Sequence, residues 1–376
     1  MPKSEVLVVT NQYPNYTDLY RNAFVHRRVV EYRRAGLRVD VMRFNPQAPT
    51  SYYEFENVDV FCGYRAELET ALRSGTYRTV LVHFLDEAMW EVLSKHLDKV
   101  RLIVWLHGAE VQPWYRRTFN YQNEAERVLA VKKSNQRMRF WKQVFEMSSR
   151  NIHFVFVSQY FADEVMEDVG IRLPRDRYSI IPNFIDTNLF EYQKKPVDQR
   201  KKILSIRPFA SKKYANDLTV SAILDLATEP FFSDLEFRII GDGPLFDETV
   251  EPIMGFPNVV LERRFLQQTE IARLHKEYGV FLSPTRMDSQ GVSRDEAMSS
   301  GLVPITTRVA AIPEFVDEDC GILADPEDYK QLADGIRRLY HDPALFEKLS
   351  EGAAKRVRQQ SDFVHTIAEE AKLILT

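Results

Sequence analysis

A chain of 376 residues that is 44% hydrophobic and 28% charged has the apolar material for a large core and the length for more than one domain. Its net charge of −4 gives no basic field of the kind that nucleic-acid partners require, and its pI is about 6.1. The two cysteines, Cys62 and Cys320, are far apart in sequence, and nothing suggests a disulfide framework or a metal cluster; each reads as an ordinary semi-buried thiol.

The opening segment, MPKSEVLVVT, runs straight into a strand, and no apolar run approaches the ~18 residues of a membrane span. The expectation is a soluble, cytoplasmic protein, with peripheral membrane contact left open. Short apolar runs then alternate with longer amphipathic stretches, the pattern of a parallel sheet with helical crossovers. In the first half, strands are expected near Val6–Thr10, Val39–Phe44, Val80–Leu85, Leu102–Leu106, Phe154–Ser158 and Ser179–Ile181. In the second half they are expected near Ile203–Ile206, Glu236–Gly241, Val259–Arg263, Val280–Ser283, Val303–Thr306 and Gly321–Ala324. Six and six predict an α/β protein of two doubly wound, Rossmann-like parallel-sheet domains, over 1–190 and 191–361. The polar, proline-bearing Glu191–Arg200 reads as their linker. The helical period of Asp362–Leu375 marks a final helix (362–376) that is expected to rejoin the first domain.

Open parallel sheets bind ligands beyond the carboxyl ends of their strands. The most informative such segment is Leu282–Thr307, where Asp288 and Glu296 bracket a turn and a helix start. Free N–H groups at a helix start favour an anion, and carboxylates beside them can accept from sugar or ribose hydroxyls. Taken alone, the pair reads equally well as a turn cap and a solvated helix face. Arg207 and Lys212 follow the strand Ile203–Ile206 and suit a pyrophosphate, with Lys213 a second candidate; a solvated basic loop is the alternative. Gly241 and Gly243 lie in a Gly-Asp-Gly-Pro turn that permits close backbone approach and is also an ordinary tight turn. His107 ends a first-half strand and can orient or exchange protons with an acceptor hydroxyl, although a lone histidine is more often structural. No Asp-x-Asp pair or His/Cys ligand cluster suggests a metal.

The segments from about 100 to 325 resemble, in order, the motifs of the retaining glycosyltransferases of family four (glycosyl transferases group 1). These are Arg207 with Lys212, Gly241-Asp242-Gly243-Pro244, the Ile181–Phe190 hinge approach, Asp288 with Glu296-Ala297 after seven residues, and Ala311-Ile312-Pro313-Glu314. The resemblance implies the GT-B fold, two domains facing across a cleft, with the nucleotide-sugar donor on the C-terminal one. It implies that Arg207 and Lys212 bind the donor diphosphate, that Glu296 holds the ribose, and that Asp288 contacts the transferred sugar. It places backbone amides of Gly291 and Val292 near the sugar phosphate, Phe265 and Leu266 near the base, and His107 facing sugar and acceptor across the cleft.

The implied reaction retains the anomeric configuration and uses neither metal nor cofactor. Its donor is UDP- or GDP-linked, and its acceptor is a hydroxyl of a glycan or lipid-linked oligosaccharide in bacterial surface polysaccharide (lipopolysaccharide or capsule) synthesis. A sugar-nucleotide epimerase of the same fold and a catalytically silent glycan or nucleotide-sugar binding module are the alternatives. Four departures stand out: Asp288 for glutamate, Ser289-Gln290 for Gly-Phe, Ala310-Ala311 for Gly-Gly, and Tyr13-Pro14-Asn15-Tyr16-Thr17-Asp18 where a Gly-Gly loop is usual. The cation-rich stretch 114–150, interleaved with Phe119, Leu129, Phe140, Trp141 and Phe145, reads either as a surface for anionic lipid or as a helical excursion packed on its own domain.

Overall fold

The computed structural model describes residues 4–19, 21–47, 49–147 and 151–376. The chain divides into two compact units. The first comprises Met1–Arg116, Ala125–Ile181 and Val364–Thr376, and the second Arg117–Glu124 and Pro182–Phe363.

The first unit is built on eight strands: β1 (Val6–Thr10), β2 (Val39–Phe44), β3 (Ser51–Phe55), β4 (Val58–Gly63), β5 (Thr79–His83), β6 (Arg101–Leu106), β7 (Ile152–Phe156) and β8 (Tyr178–Ile180). Their order is β3-β4-β2-β1-β5-β6-β7-β8, parallel throughout except for β3 against β4. The central strands are buried along their whole length, as sheets covered by helices on both faces require. Sequence expected six strands here; the additional two are the edge hairpin β3–β4. Its turn is Glu56-Asn57, both at positive φ (47° and 62°), the geometry of a two-residue hairpin without the Asn-Gly that usually announces one. Tyr52 and Glu54 of β3 are exposed and Tyr53 is half-buried, so it carries little apolar signal.

The second unit has β9 (Lys202–Ile206), β10 (Glu236–Gly241), β11 (Val259–Arg263), β12 (Val280–Leu282), β13 (Val303–Thr307) and β14 (Ile322–Ala324). They form a six-stranded parallel sheet ordered β11-β10-β9-β12-β13-β14. The segment 191–200 is not a free linker. Lys195 is buried with its ammonium on the carbonyl of His275, and Gln199 donates to the carbonyl of Lys276. These bonds hold the segment within the second unit. The last helix, Phe363–Leu375, belongs with the first: Arg28 Nε lies 3.1 Å from Glu370 Oε1, and Tyr32 donates to the same carboxylate at 2.5 Å. All three residues are buried. Among the described residues, no helix is long and apolar enough to cross a membrane.

Candidate active site

In the second unit the strand order reverses between β9 and β12, the switch point at which open sheets of this kind form a crevice beyond their carboxyl ends. Arg207 leaves β9. Its side chain is 5% exposed, it donates through Nη1 to Ser293 Oγ at 3.2 Å, and its Nε and Nη2 meet no protein acceptor. Its guanidinium carbon lies 5.0 Å from the Tyr214 ring centroid. A buried cation with two open N–H groups is costly unless an anion fills the place, and burial accordingly pulls its pKa down while Asp288 opposes that. Asp288 leaves β12. Burial would raise its pKa, but Lys213, Arg207 and Arg294 outweigh this and keep it ionised, with the amide of Gln290 adding a bond.

The helix Val292–Ser299 starts immediately after, entered through Gly291 at φ 99°, a conformation L side chains avoid. Arg207 reaches Ser293 in the helix's first turn, and a cation beside a helix N-terminus suits an anion such as phosphate. Glu296 on this helix is 5% exposed, and Gln268 Nε2 donates to its Oε1 at 2.8 Å.

The Gly-Asp-Gly turn shapes this crevice by packing. A Cβ on Gly241 would stand 1.9 Å from the carbonyl oxygen of Arg207, and one on Gly243 (φ 149°) 2.3 Å from the carbonyl carbon of Phe209. The two loops are also tied by Arg207 N to Ile240 O (3.0 Å) and Phe209 N to Asp242 O (2.9 Å). Both glycines therefore seat the loop that carries Arg207.

Three sequence assignments are refined here. Lys213, rather than Lys212, is the lysine whose charge acts on Asp288. Lys212 is exposed and lines a separate cavity of about 590 Å³ with Phe209, Asn216 and Glu248. The turn at 211–214 is a single 3-10 turn begun by Ser211, whose hydroxyl accepts from Lys213 N at 3.1 Å, so the two lysines diverge. Leu266 is buried among Leu204, Ile240 and Leu274, so its side chain is core; Phe265 beside it is 60% exposed. Val292 packs partly against a cluster around Ile312 and Phe315.

One residue escaped the sequence reading. Gln290, 1% exposed, accepts from Asn183 N (2.7 Å) and Nδ2 (3.0 Å) through its side-chain oxygen. Its amide donates to Asn183 O (2.9 Å) and Asp295 Oδ2 (3.1 Å). The only signal was a polar residue where phenylalanine is usual.

In the first unit the strand order reverses between β1 and β5. A cavity of about 380 Å³ opens there, lined by Asn11, Phe84, Asp86, Glu110, Lys133 and Arg137 among others. Phe84 sits at φ 60°, strained for a bulky residue. His107, partly exposed, ends β6 with its backbone N–H on Glu110 Oε1; burial and Arg28 drive its pKa down to about 3. It therefore stays neutral near pH 7 and enters any chemistry as a hydrogen-bonding group.

The 13–18 loop is rigid for its own reasons. Buried Tyr13 bonds His26 Nδ1 at 2.9 Å, His26 Nε2 reaches Glu56 at 3.0 Å, and Asn15 Oδ1 accepts from Thr17 N and Asp18 N, both 2.9 Å. Of the basic stretch, Phe140, Trp141 and Phe145 are core of the first unit, on the helix Glu124–Glu146. Val128 and Leu129 stay exposed beside Arg127 and Lys132, and residues 148–150 lie outside the described residues.

Comparison with known proteins fits this geometry. Residues 200–342 match the family described as Glycosyl transferases group 1, a segment that includes all six strands of the second sheet. The chain thus carries a stretch similar to that group over 200–342, and its fold is GT-B. N-acetyl-alpha-D-glucosaminyl L-malate synthase of Bacillus anthracis is 29% identical over 297 residues, 74% of this chain and 69% of the relative. Matches to other curated relatives span as little as 25% of their length. Two solved structures share the fold. Sucrose-phosphate synthase of Thermosynechococcus elongatus has a TM-score of 0.72 at 15% identity, covering 98% of each chain. HepE of Anabaena, in complex with UDP and glucose, has a TM-score of 0.67 at 14% identity, covering 98% of this chain and 99% of its own.

Proposed function

We propose that this chain transfers a sugar from a nucleotide-sugar donor to a hydroxyl of a glycan or lipid-linked acceptor, retaining the anomeric configuration. The observation that carries the reading is buried Arg207, with two N–H groups open beside Asp288 and the N-terminus of Val292–Ser299. Such a constellation suits a diphosphate and stabilises the charge that develops as the nucleotide departs. Arg207 and Lys213 would carry that charge, Glu296 would hold the ribose, and Asp288 would contact the sugar. HepE holds UDP and glucose, which favours a UDP-linked donor here. Surface polysaccharide synthesis is the setting this reading supposes.

The test is a thermal-shift series with UDP-, GDP-, dTDP- and CMP-sugars, followed by turnover of the stabilising donor with and without acceptor sugars. At about 100 times its dissociation constant, a true donor adds about 2.7 kcal/mol of stability. A shift with one nucleotide family, lost in Glu296→Ala, supports the reading. Isomerised donor without acceptor would favour an epimerase, and no shift at all would overturn the donor site.

A further inference from the structure

β5 and β6 run parallel with His83 opposite Trp105, so His107, two residues beyond Trp105, faces the same side as His83. The imidazoles meet nearly coplanar, with planes 18° apart, centroids 5.3 Å apart, and His83 Nδ1 3.0 Å from His107 Nε2. The surroundings are mostly carbon. Trp105 stacks on His83 at 5.0 Å, while Phe24 and Phe84 stand 4.9 and 4.7 Å from the His107 ring. The charges that bear on the pair are Arg28, already matched by Glu370, and Glu110 on the His107 backbone. Neither imidazole is forced to ionise by such neighbours.

Two neutral rings facing across 3.0 Å share one proton, and the far side of His83 weighs on which ring owns it. His83 is 0% exposed, and its Nε2 has no protein partner. A buried N–H without an acceptor is rarer than a buried acceptor without a donor. The tautomer with the proton on Nε2 is therefore the worse one, and His83 carries its proton on Nδ1.

We propose that His83 is a positioning residue: it donates its Nδ1 proton to Nε2 of His107 and so holds His107 in the tautomer that is protonated on Nδ1. His107 then presents a donor rather than an acceptor on its Nδ1 side, and its Nε2 lone pair is already used. No proton leaves the acceptor hydroxyl through this ring. The catalytic consequence rests on the transferase reading; the tautomer does not.

Long-range ¹H–¹⁵N spectra of the full-length protein at neutral pH read the tautomer directly, with His107→Gln and His83→Asn supplying assignments. The expected result is a protonated Nδ1 and a bare Nε2 on His107. A protonated Nε2 on His107, or a doubly protonated ring, overturns the proposal. In His83→Phe the His107 signals should move toward a tautomer mixture and kcat should fall about tenfold or more at unchanged donor KM. His83→Asn, whose amide can donate in place of the ring, should keep most of the rate. Equal rates in His83→Phe and wild type would also overturn it. Should the phenylalanine variant fail to fold, the wild-type and asparagine spectra still decide. Absence of transfer to any acceptor would count against the transferase reading and leave the tautomer result standing.

Discussion

Arg207 is the residue on which the proposed donor site turns, because its burial is costly without an anion in place. The neighbouring lysines give a sharper test than the arginine itself. Lys213 acts on Asp288, whereas Lys212 lines a different cavity. Lys213→Ala is therefore expected to lower kcat/KM by roughly tenfold or more, as losing one charge-stabilising donor does. Lys212→Ala, at an exposed position, should stay within about twofold in rate and about 0.5 kcal/mol in stability. Steady-state kinetics of the two variants decides it, and the reverse ranking would return the assignment to Lys212. The sequence could not separate them, since adjacent residues in one loop have the same spacing from Arg207 to within one position. The short turn begun by Ser211 separates them in space.

At the scale of elements, the loop after β9 and the turn after β10 are one assembly. Gly241→Ala would drive a methyl group into the carbonyl of Arg207, and backbone has to yield. A loss of about 1–3 kcal/mol is expected from denaturant titration, as for other overpacked sites, with turnover falling further because the displaced loop carries Arg207. Unchanged turnover in a folded variant would detach the turn from the site. The strands of both sheets were largely legible, since buried parallel strands are short unbroken apolar runs such as VLVVT and VLVH. The β3–β4 hairpin was not, because its edge strand is mostly exposed and its Glu56-Asn57 turn lacks glycine. Gln290 and Leu266 were illegible for a related reason: what they touch is set by loops folding back on one another, and neither period nor propensity reports that.

For the whole molecule, the buried histidines set the response to acid. Burial lowers the pKa of His83 far below its usual value, of His107 and His275 to about 3, and of His153 to about 4. A depressed histidine contributes stability above its unfolded pKa of about 6.5 and loses it as pH falls toward the folded value. Glu110 and Asp295 are shifted upward by burial and act in the opposite sense, nearer the carboxylate range. Unfolding free energies from urea titration should therefore drop as pH goes from about 6.5 to 5, by up to about 1.4 kcal/mol per pH unit for each histidine. A flat profile across that window would mean that the rings take up protons in the fold as readily as in the unfolded chain.

The Arg28–Glu370 pair joins residues 342 apart in sequence within a single unit. During synthesis, then, the first unit to emerge is not the first to finish. Its sheet is made by residue 180, yet Arg28 and Tyr32 wait for a carboxylate that arrives only after the whole second unit has been translated. Closing a loop of that length costs entropy that grows only slowly with its length, so the pairing is tolerable at equilibrium while slow to form. The first unit is thus a clasp whose two halves lie at opposite ends of a long covalent loop.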